Sequence, residues 1–320
     1  MKINKRVQLL LLFLLLILCT WNIVTDIPSE LEESYNISII IRGKMDDSWS
    51  NLKKGAENAA EDLNVNLRFV AAIDGNTAEE QIELLKQEVE GTDAIIISPV
   101  NRVLLQDQIV DLAKRKKPII LMESTISGNH SIPVIQSDNL EMGKTLAESV
   151  INHGVRNKNV LILSGNAMCS SVIERQKGFM EAMVETENKC SIVSAGSFEV
   201  DGIYRLLCER QPDVAVALDT KLLENLVKAN KKYASQYPDT KVEIYGSGCS
   251  STVLKDLENK DIVAITAEDD FSIGYLCVQE AVNAIKGKDT TSNKDIRYII
   301  TNSAQMYSDT NQRLLFPFVK

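Results

Sequence analysis

NISIIIRGKMDDSWSNLKKGAENAAEDLNVNLRFVA, residues 36–71, decides the fold. A β-branched run, Ile37–Arg42, reads as a strand. From Ser48 to Leu63, apolar Leu52, Ala56, Ala59, Ala60 and Leu63 recur at the spacing of an amphipathic helix. A second β-rich run, Asn66–Ala71, follows. Strand, helix, strand is a right-handed βαβ unit, with its two strands parallel in one sheet.

The same alternation continues along the chain. Strands are expected at Ala94–Ser98, Ile119–Glu123, Pro133–Gln136, Asn159–Ser164 and Ser191–Ala195. Further ones fall at Val214–Leu218, Lys241–Tyr245, Ile262–Thr266 and Ile296–Thr301, with helical stretches between them. Unbroken apolar strands such as AIIIS (94–98) suit parallel strands covered on both faces. About eleven strands exceed one comfortable sheet. The reading is therefore α/β, with two doubly wound, Rossmann-like lobes. Ligands of such sheets bind beyond the carboxyl ends of the strands. The loops to inspect follow Arg42, Ser98, Glu123, Ser164, Leu218, Tyr245 and Thr266.

Composition narrows the function. The chain has 320 residues, room for two ordinary domains, and its 44% hydrophobic content permits packed cores. The net charge is −9, and without Lys2, Lys5 and Arg6 it is −12. That acidity argues against nucleic acid, which requires clustered Lys and Arg; Lys114–Lys117 reads as the solvated end of a helix. The six cysteines form no C-x-x-C and no zinc spacing. No metal and no cofactor is expected.

Lys2, Lys5 and Arg6 precede an apolar stretch from Val7 to Val24, the pattern of a signal anchor or signal peptide. Residues 1–25 are read as that membrane segment and residues 26–35, polar and acidic, as a linker. Retention, cleavage and lipidation at Cys19 all place the rest of the chain outside the cytoplasm; Leu18 stands where lipidation wants a small residue.

The expected ligand loops carry an ordered series: GKMDDSWSNLKKGAENAAEDLN (43–64), ISPVN (97–101), KPIILMES (117–124), SDN (137–139), ERQKGF (174–179), YGSG (245–248) and TAEDDFSIGY (266–275). In order and spacing the series resembles type I periplasmic binding proteins of the ribose and galactose type, related to the ligand-binding cores of LacI-type repressors. The resemblance implies one lobe from 36–136 plus 269–300 and a second from 137–268 plus 301–320. It implies a three-segment hinge near Ser137, Glu268 and Asn302.

The resemblance also implies a site for a sugar or sugar-like molecule. Trp49 matches a ring-stacking aromatic, although a core aromatic at a helix start reads the same way. Asp46 matches a polar contact and Asp47 adjoins it, and either could instead cap a helix. Glu123 stands where relatives have Asp followed by Arg; Ser124 follows here, so a forked donor is lost. Arg175 matches the Arg of R-x-x-G-F, and its planar guanidinium can hold two hydroxyls or a carboxylate. Asp219 and Glu268 match further contacts. Gly248 displaces the usual Asp; its loop could cradle an anion but reads better as a tight turn. Cys169 and Cys249 fall on cleft loops.

No G-x-S-x-G, H-E-x-x-H or paired metal spacing occurs, and His130 and His153 sit in polar surroundings. The expected role is solute binding rather than catalysis, with a carboxylate-based glycosidase as the enzyme alternative. The expected partners are an ABC permease or a membrane histidine kinase, with the absence of Arg at 124 and Asp at 248 leaning toward sensing.

Overall fold

The computed structural model describes residues 34–72, 77–128, 131–165, 168–194, 199–290 and 294–317. The expected membrane segment, most of the linker, and His130 lie outside the described residues. Among those described, no helix is long and apolar enough to cross a membrane.

Numbered along the chain, the first sheet contains β1 (Tyr35–Ile40), β2 (Val65–Val70), β3 (Ala94–Ile97), β4 (Ile119–Met122), β5 (Val134–Ser137) and β11 (Lys294–Ile296). Its spatial order is β11-β5-β4-β3-β1-β2, all parallel. The second contains β6 (Asn159–Ser164), β7 (Lys189–Ser194), β8 (Val214–Ala217), β9 (Glu243–Ser247), β10 (Ala264–Glu268) and β12 (Tyr298–Thr301). Its order is β12-β10-β9-β8-β6-β7, antiparallel only between β10 and β12.

Helices cover both faces of each sheet. Ile37, Ile39 and Ile41 pack with α1 (Ser50–Asp62) and α9 (Asp270–Ile285) on one face of the first sheet. Ile40, Ile95 and Ile97 pack with α2 (Ala78–Glu88) and α3 (Gln106–Lys114) on the other. This is why these strands read as continuous apolar runs. The second sheet has the same two-sided arrangement. There, α4 (Asn139–Asn152) and α5 (Ser170–Met183) cover one face, while α6 (Val200–Arg210), α7 (Thr220–Gln236), α8 (Ser251–Glu258) and α10 (Asp309–Leu315) cover the other. Each of the four apolar cores stays within one lobe.

Thr77, Asp138, Asp219, Ser250 and Asp269 open their helices by accepting a backbone N–H with the side chain. Each such helix follows a parallel strand, so these N-termini gather at the carboxyl edge of the sheets.

The chain passes from the first sheet to the second after Ser137 and returns after Glu268. The third crossing lies at Arg297, not at Asn302. The expected single strand 296–301 is two strands, β11 and β12, in different sheets. Ile296 packs in the first lobe and Ile299 against the second, so the segment through 300 does not belong wholly to the first lobe. β1 begins at Tyr35, inside the expected linker.

Candidate ligand-binding cleft

In the first sheet β2 and β3 flank β1, and in the second β7 and β8 flank β6. Strand order reverses at both places, opening a crevice between the ends of neighbouring strands. Arg42 and Ser98 follow β1 and β3, while Gly165 and Asp219 follow β6 and β8. Between them lies a cavity of about 1040 Å³, large for a small-molecule site.

Arg42 is one cavity residue that sequence reasoning missed. Its Nη1 lies 3.3 Å from Glu123 Oε2 and donates to Ser98 Oγ at 3.0 Å and Ser124 Oγ at 3.3 Å. The guanidinium carbon stands 5.7 Å from the Trp49 ring centroid, within cation–π range. The forked donor absent at 124 is thus supplied from the end of β1. Burial alone would lower the Arg42 guanidinium, but Glu123, the Cys169 thiol and more distant carboxylates hold it above its ordinary value.

Glu123 is itself strained: its φ is +58°, the left-handed region that bulky residues avoid. Such strain costs about 1–3 kcal/mol and persists where the surroundings over-determine it. Here the Glu123 N–H is held by the Ile135 carbonyl, and Ser98 Oγ donates to Oε2 at 3.2 Å. Burial pushes the carboxyl above its usual range, with Arg42 opposing.

Across the cavity, Arg175 sits on α5, only 3% exposed. Its Nε donates to Asn139 Oδ1 at 2.8 Å, Nη1 to the Leu218 carbonyl at 3.4 Å and Nη2 to Glu268 Oε1 at 2.6 Å. Its height is set by glycine: a Cβ on Gly143 of α4 would meet the Arg175 carbonyl at 2.0 Å. Asp219 caps α7 through Leu222 N–H at 2.9 Å and also lines the cavity. A Cβ at Gly165 would lie 2.2 Å from Asp219 Oδ2, so a larger residue there would displace that carboxylate from its present position. Burial raises Asp219, with the Leu222 N–H opposing.

Trp49 ends a single 3-10 turn, Asp47–Trp49; it packs in the first lobe's core and also lines the cavity. Asp46 caps that turn and lies 3.7 Å from Lys221 Nζ of the opposite lobe. Asp47 does not line the cavity. Its Oδ2 instead accepts from Ser251 N at 2.8 Å and Oγ at 2.6 Å, joining the lobes at the start of α8. Gly248 has φ +134° and lies against Thr220, whose Cα would be 2.6 Å from an added Cβ. Its N–H is spent on the Thr266 carbonyl, which removes it from anion binding.

Glu268 and Asp270 complete the floor. Single oxygens of Glu123, Glu268 and Asp270 lie within 4.8 Å of one another, a set able to hold a cation. Burial first, then Glu268 and Glu123, push Asp270 well above the usual carboxylate range. Asp270 was not foreseen as a site residue; the acidic triplet EDD (268–270) at a strand end was its signal.

A polar seam closes one side. Arg102 N–H meets the Met168 carbonyl at 3.0 Å, Thr125 N–H meets Ser170 Oγ at 2.6 Å, and Ser124 Oγ lies 2.9 Å from Ser171 Oγ. Cys169 is buried in this seam, while Cys249 lines the cavity, where burial raises its thiol. All five described cysteines are free. His153 takes no part: its Nδ1 pairs with the Ser149 carbonyl at the end of α4.

Two sheets with facing switch points and a cavity between them make a two-lobed α/β molecule with an interlobe cleft. Residues 37–289 match the family model described as periplasmic binding protein domain, and the chain belongs to that family. It is 24% identical over 183 residues to the ribose import binding protein RbsB of Salmonella typhimurium, 56% of this chain and 61% of that protein. The chain thus spans about three fifths of the length of that relative. The galactofuranose-binding protein YtfQ of Escherichia coli is 28% identical over 140 residues, 42% of this chain and 43% of that one. Among solved structures, a carbohydrate transporter solute binding protein from Agrobacterium radiobacter in complex with D-arabinose superposes with TM-score 0.79 at 21% identity, over 88% of this chain and 99% of that one. A solute binding protein from Agrobacterium vitis with bound D-fucose superposes with TM-score 0.77 at 15% identity, over 88% and 100%. Both superpositions establish the shared fold.

Proposed function

We propose that this protein is an extracytoplasmic solute receptor that binds a sugar or sugar-like molecule between its lobes without turning it over. The observation that carries the reading is the cavity itself: the buried guanidinium of Arg175, the part-buried one of Arg42, four carboxylates and the Trp49 ring converge on it from both lobes. Planar acceptors and forked donors suit hydroxyls, and an aromatic ring suits the C–H face of a sugar. Arg42, Trp49, Glu123 and Asp270 come from the first lobe, and Arg175, Asp219 and Glu268 from the second. Only closed lobes bring the whole set to the ligand, so binding favours closure by its differential affinity for that state. The chain segments at Ser137, Glu268 and Arg297 are the hinge.

The relatives named as import and binding proteins support delivery of the ligand to an ABC permease. Residues 1–25 tether the receptor at the outer face of the membrane. Cross-linking in cells that captures a histidine kinase instead of a permease would move the role to sensing.

A thermal-shift screen of aldoses, ketoses and polyols against the purified chain tests the binding itself. Ligand at a hundred times its dissociation constant stabilises by about 2.7 kcal/mol. A panel that leaves the melting temperature unchanged refutes the sugar reading. Glycoside hydrolysis abolished by Glu123→Gln or Glu268→Gln would make the protein an enzyme.

A further inference from the structure

Resting on that reading, we infer that the ligand carries a protonated primary amine, as an amino sugar or aminopolyol does, and that its ammonium sits among Glu123, Glu268 and Asp270. Three observations carry this.

The first is geometric. The three carboxylates present oxygens within 4.8 Å of one another. An R–NH3+ group has three N–H donors at tetrahedral angles, and at about 2.9 Å each they call for acceptors about 4.7 Å apart. A neutral hydroxyl has one proton and can serve only one of the three.

The second is an orphan. Glu268, nine-tenths buried, gives Oε1 to Arg175 at 2.6 Å, but its Oε2 is buried with no partner. A buried carboxylate oxygen left unpaired is costly, so a donor is owed to it. Glu268 lines the cavity, where a bound ligand can provide that donor.

The third is charge. Glu123, Asp219, Glu268 and Asp270 face only two guanidiniums, Arg42 and Arg175, at the cavity floor. With the rim included, the lining still holds six acidic and four basic side chains. A cationic ligand offsets that excess, while an anionic one adds to it.

The same cluster suits a divalent metal less well. Calcium takes six to eight oxygens, and here the guanidiniums of Arg42 and Arg175 already hold two of the three carboxylates, at 3.3 and 2.6 Å. They would repel a double charge placed beside them. A single positive charge with directed N–H donors fits the arrangement.

The test is isothermal titration of the whole chain with D-glucosamine, D-galactosamine and D-mannosamine, each beside its hydroxyl parent and its N-acetyl form. Calcium chloride alone is titrated separately. At least one free amine should bind tenfold or more tightly than both of its neutral partners. Asp270→Asn, whose side chain is partly exposed and so spares the fold, should bring that ratio close to one, and Glu268→Gln should do the same. Neutral sugars binding as tightly as their amines would overturn the inference while leaving sugar binding intact. Saturable calcium binding that excludes the amines would also overturn it, making the cluster a metal site. If neither amines nor neutral sugars bind, the inference and the sugar reading fall together.

Discussion

Replacing Arg175 with Met tests how the floor of the cleft is held together. Met fills a similar volume but removes three donated hydrogen bonds, at 2.8, 3.4 and 2.6 Å, and the charge facing Glu268. Breaking a buried ion pair from one side costs about 3–5 kcal/mol, because the remaining charge is left uncompensated. Removing the carboxylate as well, in Arg175→Met/Glu268→Gln, should leave a deficit of about 1–2 kcal/mol for the unmade bonds to Asn139 and Leu218. The pH dependence follows from two neighbours. Arg175 is among the groups that oppose the upward shifts of Glu123 and Asp270. Without it those carboxyls rise further in the folded state, which then binds more protons than the unfolded chain. Stability of the variant should therefore fall with rising pH above the unfolded carboxylate range, and its deficit should shrink from pH 7 toward pH 4. Urea unfolding followed by circular dichroism at both pH values measures this. A single variant as stable as the parent, or a double variant no better than the single, refutes the account of Arg175 as the counter-charge of this floor.

Two further predictions concern neighbouring residues. Trp49→Ala should weaken binding of whichever sugar the screen identifies by about 1–3 kcal/mol, the scale for burying a large side chain. In a Trp21→Phe background Trp49 is the sole tryptophan, so its fluorescence should shift on titration with that sugar; an unchanged dissociation constant and spectrum would remove it from the site. Asp270 is pushed well above the usual range by burial, Glu268 and Glu123, so its ionisation opposes folding once the pH exceeds the unfolded Asp value. Asp270→Asn should accordingly raise the melting temperature of the unliganded protein at pH 7, with the gain fading below about pH 4. Equal melting at both pH values would show that Asp270 is not held against its own charge.

The lobes were legible because burial on both faces writes itself into runs such as Ala94–Ile97, and the helical period fixes what lies between. The crossing at Arg297 was not, because Ile296 to Thr301 is apolar enough for one strand, and no periodicity marks a change of sheet. Arg175, Asp219, Glu123 and Glu268 were reached through the family resemblance of their motifs, and all four line the one cavity. Arg42 escaped because it closes a strand and was read as part of it. The clue was Ser124: a buried Glu123 without its neighbouring Arg requires a guanidinium from another element. Asp47 adjoins the matched Asp46, yet three-dimensional packing aims it at α8 rather than into the cavity.

The seam between the lobes has a calorimetric consequence. Its contacts are amides, hydroxyls and carboxylates, and none of the four apolar cores extends across it. Heat-capacity change on association tracks the apolar surface removed from water. Docking one lobe on the other therefore contributes little to it. The heat-capacity change measured on binding should instead reflect the ligand's own apolar face against Trp49, and so report on the ligand rather than on the motion.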